Sequence, residues 1–433
     1  MELYSTNNRS LRVDFKEAVF NSLPADKGLY MPLHIPKLDE DFIANIQKYS
    51  LQEISFKVAT TLLQGAIPEE DLKHIITEAV NFPAPTVRLE DETYVLELFH
   101  GPSSAFKDFG ARFMSRVMSY FMNDGEKMLD ILVATSGDTG GAVALGFLNV
   151  PNTRVTILYP KGGVSAVQEL QLVTNGNNIR AIEVDGTFDD CQALVKQAFA
   201  DQELNTKLRL TSANSINIAR LIPQTFYYFN AYAQLKKQGK KDVVFSVPSG
   251  NFGNLAAGII AWKMGLPVKQ FLAATNLNDT VPKFLKTGAY HPKPSIATLS
   301  NAMDVGNPSN WVRIIDLFND DEALRNLLVG FSFTDEQTIH AIEEIYSRYN
   351  YIACPHTAVA WLAIVEWRKN QAKATAIFAA TAHPFKFPDV FPKVIADKIH
   401  VPLQVEEMKS KPKYAEHFGN DYNEFKAYLL AEL

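Results

Sequence analysis

Lys107 lies in SSAFKDFGARFM, residues 103–114, between two phenylalanines. Apolar residues recur there at three- and four-residue spacing, which predicts a helix over about Ser104–Met122, capped by Ser103 and Ser104. A helix N-terminus carries about half a positive charge and is a poor place for a second one. Alone, Lys107 reads as a snorkelling surface side chain. Kept neutral among apolar neighbours, it could form a Schiff base. VVFSVPSGNFGNLAAG reads as strand, glycine loop and helix, so that Gly250, Asn251, Phe252, Gly253 and Asn254 could turn backbone N–H groups towards one anion. ATSGDTGGAVA is built alike, with Thr135, Ser136, Asp138 and Thr139 ahead of a helix, and suits a carboxylate or a second phosphate. Each loop alone is equally a tight strand–helix turn. The loop at 248–254 lacks the spacing of a Walker A loop and of a dinucleotide fingerprint. A reactive lysine together with two anion cradles is the combination that pyridoxal phosphate requires. TSANSINIAR (211–220) gathers Asn214, Ser215, Asn217 and Arg220, which suits a phosphate held by a charged fork, or else a polar turn capping the next helix.

The elements that position these loops alternate. TYVLELF, MLDILVAT, RVTILYP, NIRAIEVDG, DVVFSVP, VKQFLAAT and TAIFAA read as short buried strands with helices between them, including one over about Ile218–Lys237 and one beginning at its N-cap Thr187. That rhythm predicts parallel sheets covered on both faces. Ligands in such sheets bind beyond the carboxyl ends of the strands, which singles out Thr135–Gly141, Pro248–Asn254 and Thr381–Pro384. Residues 1 to about 85 read as mostly helical, and NFPAPTV as a linker.

With 433 residues, 47% of them hydrophobic and 21% charged, the chain can fill two or three ordinary globular domains. A net charge of −6 argues against nucleic acid or an anionic membrane as partner. The nine histidines fall in no ligand spacing, and Cys191 and Cys354 stand far apart, so no metal site is expected. The polar start, MELYSTNNRSLRVDF, and the lack of a long uncharged apolar run lead us to expect a soluble, cytoplasmic protein.

HGPSSAFKDFGARFM, ATSGDTGGAVA, SANSINIAR, VPSGNFGNLAAG, AATNLNDTVPKFL, LSNAMDVGNPSNW and TAHPFKF occur in the order found in threonine synthases of the bacterial and fungal type, which the chain resembles over nearly its whole length. The resemblance implies the pyridoxal-phosphate fold type II, like the tryptophan synthase β subunit. That means two parallel-sheet α/β domains plus a helical N-terminal segment: residues 1–90 as that segment, 91–115 and 223–433 as the large domain, 116–222 as the small one. It implies Lys107 as the catalytic Schiff-base lysine, Gly250–Asn254 as the cofactor-phosphate loop and Thr381 as the hydroxyl facing the pyridine nitrogen. Thr135, Ser136, Asp138 and Thr139 would receive the substrate carboxylate, and Asn214, Ser215, Asn217 and Arg220 its phosphate. The implied activity is a carbon–oxygen lyase reaction, O-phospho-L-homoserine and water giving L-threonine and phosphate, in a monomer or homodimer. The alternatives are a related phospholyase releasing 2-oxobutyrate and a non-catalytic phospho-metabolite-binding protein. The chain departs from the family pattern at Asn254 for aspartate, Ser103–Ser104 for Thr–Leu, Cys354 for glutamate and Phe385 for alanine.

Overall fold

Runs such as Leu129–Ala134 and Val244–Pro248 bury every residue, as strands covered on both faces must. In the computed structural model, which describes residues 1–122, 127–318, 320–370 and 374–431, such runs build three sheets. First come β1 (Glu2–Ser5), β2 (Arg12–Asp14) and β3 (Tyr30–Pro32), antiparallel in the order β2-β1-β3. The N-terminal segment is therefore not simply helical. One short helix, Phe15–Asn21, lies between β2 and β3 and ends before Pro24, while Leu3, Val13 and Met31 bury their side chains from strands. Helices follow at Leu51–Leu63 and Glu69–Ala79. The first is closed by a Ser50–Glu53 capping box, a motif worth about 1 kcal/mol.

The chain next pairs β4 (Thr86–Glu90) antiparallel with β5 (Thr93–Glu97). It then leaves to build β6 (Leu129–Ala134), β7 (Thr153–Pro160), β8 (Ile179–Val184) and β9 (Arg209–Ser212). It returns for β10 (Val244–Pro248), β11 (Gln270–Thr275), β12 (Leu328–Ser332) and β13 (Ala376–Ala380), and closes with β14 (Glu416–Phe418). The larger sheet runs β12-β11-β10-β13-β5-β4, parallel except for β4; the smaller runs β14-β8-β7-β6-β9, parallel throughout. Residues 223–433, expected in the larger unit, thus send their last strand to the smaller sheet. Phe425 and Leu429 beyond it join the apolar cluster of Ile182, Leu194 and Ala198.

Two helices carry the first loop and the lysine. Lys107–Phe121 buries Phe109, Phe113, Met114 and Val117, and Asp138–Phe147 lies close against it. A Cβ added at Gly146 would stand 3.2 Å from the Ala111 Cβ, so the glycine permits the approach that sets Thr139 opposite Lys107. The first helix starts at Lys107 rather than Ser104, and neither serine caps it. Ser104 takes a left-handed φ of 55°, which a helix excludes, and the Ser103 N–H donates to Asp108 Oδ2 at 2.9 Å. The helix expected over Ile218–Lys237 breaks into Ile218–Leu221 and Gln224–Lys237, because Pro223 has no N–H to give. Thr187 caps Phe188–Ala200 as expected. No described helix is long and apolar enough to cross a membrane.

Candidate active site

The three loops singled out at strand ends lie beyond β6, β10 and β13. The third anchors the lysine. The Thr381 carbonyl accepts from Phe106 N at 2.8 Å, the Ser104 carbonyl accepts from His383 N at 3.0 Å, and Ala105 and Ala382 form an antiparallel bridge. Thr381 itself is buried at the end of β13. Lys107 Nζ then donates to Thr139 Oγ1 at 3.0 Å and lies 5.1 Å from the centre of the Phe106 ring. Its pKa is drawn down from 10.5 to about 8, first by loss of solvent and then by the charge of Arg220, with Lys386 adding to the effect and Asp138 opposing it. An amine with that basicity is partly neutral near physiological pH, as a Schiff-base lysine must be.

In the loop after β6, Thr135 Oγ1 accepts from the N–H groups of Gly137 and Gly140, at 3.0 and 2.8 Å, so this hydroxyl shapes the loop from within. Gly137 has φ 129°, and a Cβ there would collide with Gln168 at 2.4 Å. Ser136 is half-buried in the bend before the helix. Asp138 is not free to meet a ligand. Its carboxylate pairs with Lys386 Nζ at 2.7 Å and accepts from Gln168 Nε2 at 2.9 Å, with both members of the pair buried. Burial alone would raise the Asp138 pKa, but Lys386 and Gln168 hold it below the ordinary carboxylate range. Lys386 also donates to the Ser103 carbonyl at 2.9 Å, and so ties the loops of both parallel sheets to the segment leading into Lys107.

The loop after β10 carries no charged side chain. Phe252 adopts a left-handed φ of 60°, and no side chain caps the helix Gly253–Lys263. Its leading N–H groups are left for an external acceptor. Gly250 is required by the backbone of Ala302 and Met303, which a Cβ would meet at 2.7 Å. That overlying segment is held by Asp304, which accepts from Thr298 Oγ1 and Asn276 Nδ2 at 2.7 and 2.8 Å. Asn251 Nδ2 donates to Ser215 Oγ at 2.7 Å, and Asn251 Oδ1 accepts from Ser309 N at 2.6 Å. Asn254 Oδ1 accepts from the Tyr227 and Tyr228 hydroxyls at 2.6 and 2.7 Å, while its buried Nδ2 has no partner.

The 211–220 cluster divides. Asn214 bridges both backbone groups of Ala134, and Ser215 joins the loop after β10. Asn217 points away from both, capping Ile218–Leu221 and donating to the Val19 carbonyl at 2.8 Å. Arg220 is buried, donates to the Ala213 carbonyl at 2.5 Å and keeps an unpartnered Nε. An orphaned donor on Asn254, an uncapped helix and a partly neutral lysine fit pyridoxal phosphate, and the orphaned Nε of Arg220 suits a second anion. His356 is buried, its Nε2 accepts from Ala302 N at 3.2 Å, and desolvation draws its pKa down to about 4, so the ring is neutral. Cys354 lies beside it, 3.2 Å from Thr357 Oγ1. Phe385 packs with Val167 and Val405. Residue-by-residue reading passed over Lys386, Gln168, Asn310 and Arg313. Lys386 and Asn310 had a signal, their places in TAHPFKF and LSNAMDVGNPSNW.

Residues 74–378 match the pyridoxal-phosphate-dependent enzyme family, residues 2–80 the threonine synthase N-terminus and residues 357–429 the threonine synthase C-terminal region. The chain is 44% identical to threonine synthase of Haemophilus influenzae over 99% of its length and 100% of the relative's. The crystal structure of threonine synthase from Escherichia coli superposes with a TM-score of 0.92 at 41% identity, covering 100% of both chains. That of PLP-bound threonine synthase from Brucella melitensis gives 0.90 at 33%, covering 99% of this chain and 98% of that one.

Proposed function

The chain belongs to the threonine synthase family of pyridoxal-phosphate enzymes, and from that premise we propose how its residues divide the work. The reaction converts O-phospho-L-homoserine and water to L-threonine and phosphate. The observation that carries the division is the Lys107 amine, lowered in basicity and bonded to Thr139 in the loop read as the carboxylate receiver.

Lys107 would bond the cofactor's aldehyde carbon, Gly250–Asn254 would hold its phosphate, and Thr381 would meet its ring nitrogen with a neutral hydroxyl. The bound cofactor supplies a conjugated ring that takes up the negative charge left at the substrate's Cα. Lys107 Nζ, once released, removes the Cα proton; with a pKa of about 8, a minor but usable fraction of it is neutral and able to act as a base near neutral pH. Ser136, Thr139 and the N–H groups leading Asp138–Phe147 bind the substrate carboxylate. Thr135 and Asp138 act one step back, the first by folding the loop and the second by fixing it to Lys386. Arg220 supplies positive charge towards the phosphate leaving Cγ, and Asn214 and Ser215 hold its loop in place. Asn217, whose amide is used in capping, supports that loop from behind. Over the reaction Cγ gains a hydrogen in place of phosphate, and Cβ gains the hydroxyl from water. The same reading places the protein in the cytoplasm as a monomer or homodimer, with a small-molecule substrate and no nucleic-acid or membrane partner.

Purified holoenzyme given O-phospho-L-homoserine should release phosphate and threonine in equal amounts, measured by a phosphate assay and amino-acid chromatography. Lys107→Ala should lose turnover by at least about a thousandfold. Phosphate accompanied by 2-oxobutyrate in place of threonine would contradict the assignment.

A further inference from the structure

Arg313 is wholly buried, and among the described residues no carboxylate pairs with it. Its N–H groups go instead to neutral oxygens: the Tyr30 carbonyl at 3.1 Å, the Ser215 and Ile216 carbonyls at 3.2 and 2.6 Å, and Asn310 Oδ1 at 2.7 Å. Burial lowers its pKa to about 9, which leaves the guanidinium charged at neutral pH. Buried charges are normally balanced by an opposite charge, so this one calls for an anion. The route to one is short. Asn310 Oδ1 accepts a hydrogen bond from the guanidinium, Asn310 N donates to the Asn251 carbonyl at 3.3 Å, and Asn310 Nδ2 joins Asn251 Nδ2 on Ser215 Oγ at 3.2 and 2.7 Å. The loop so reached, Ser249–Asn254, has only neutral side chains.

We propose that Arg313 is the fixed countercharge behind the cofactor-phosphate loop, a positioning residue that stabilises the bound phosphate dianion through Asn310 and Asn251. The proposal rests on the reading of Gly250–Asn254 as that loop. A merely structural clamp joining β3 to the core would hold pyridoxal phosphate and phosphate-free pyridoxal alike; a countercharge acts on the phosphate alone.

The test is titration of the apo-protein with each compound, followed by protein fluorescence, in wild type, Arg313→Met, Arg313→Lys and Gly250→Ala. A unit charge a few bonds away at an effective dielectric near 20 is worth on the order of tenfold in affinity. Arg313→Met should therefore cut the preference for pyridoxal phosphate over pyridoxal by about tenfold, and Arg313→Lys should retain most of it. Equal weakening of both ligands, or an unchanged preference, overturns the proposal. If Arg313→Met does not fold, Asn310→Asp neutralises the guanidinium in place and should give the same loss of preference; an unchanged preference there overturns the proposal as well. Gly250→Ala separates the two readings. If its preference is unaltered, the loop assignment fails. If it falls while the Arg313 variants match wild type, only the countercharge fails.

Discussion

The loop after β6 and the loop after β10 share one plan, a buried strand, a glycine turn and a helix N-terminus, but they are fixed by opposite means. The first contains a buried carboxylate, Asp138, balanced by Lys386 from across the site, and one of its hydroxyls touches Lys107. The second has no ionisable side chain and is held by amides and a serine hydroxyl with Arg313 behind them. On the division of work proposed above, the difference would suit two kinds of ligand. A phosphate that stays bound needs donors already in place. A carboxylate that enters and leaves at each turnover needs a loop whose own charges are cancelled.

Removing the cancellation should have the largest effect on the folded protein. Lys386→Met leaves Asp138 buried and unpaired, a change worth about 3–5 kcal/mol, and Lys386→Met with Asp138→Asn should recover much of that. Thermal unfolding of both variants measures it; equal loss in the single and the double would show that the ion pair is not what matters. Next come the glycines, which separate the loops. Gly250→Ala forces a Cβ against the Ala302 and Met303 backbone, costs about 1–3 kcal/mol and should weaken cofactor binding. Gly137→Ala, strained at φ 129° and pressed on Gln168, should raise the substrate KM and leave cofactor affinity nearly intact. The same defect from both substitutions would erase the distinction between the loops.

The smallest effect lies beside the second loop. His356, with its pKa near 4, should show no titration between pH 8 and 5 in the NMR signals of labelled histidine, whereas a midpoint near 6.5 would mean that water reaches it. The sign for stability follows. Between about 4 and 6.5 the unfolded chain binds the extra proton, so this histidine's contribution is present above 6.5 and is lost as pH falls through 4. Asp108, pushed up to about 6 by burial, works in the opposite direction below pH 6.

Lys107 and both loops were legible because each lies in one continuous stretch whose spacing is local. Asp138 was legible as a residue but not in its role. Its partner Lys386 arrives from a distant part of the chain, and nothing local to either marks the pair. Arg313 was invisible for the same reason, since its acceptors come from β3, the 215–216 turn and Asn310. Seven of the parallel strands were readable from short apolar runs, but β9 and β12, RLTS and LVGFS, were too short and mixed to stand out. The three-residue β14 and the short β1–β3 were not readable either, because pairing with distant strands, rather than periodicity, defines them. The break at Pro223 could have been read from the proline itself.

Two lysines, Lys107 and Lys386, stand at the site, and the proposed chemistry needs the cofactor bonded to the first. Borohydride reduction of the holoenzyme, followed by peptide mapping, reports it directly. One phosphopyridoxyl group per chain is expected, on Lys107; a label on Lys386, or no label at all, would contradict the assignment.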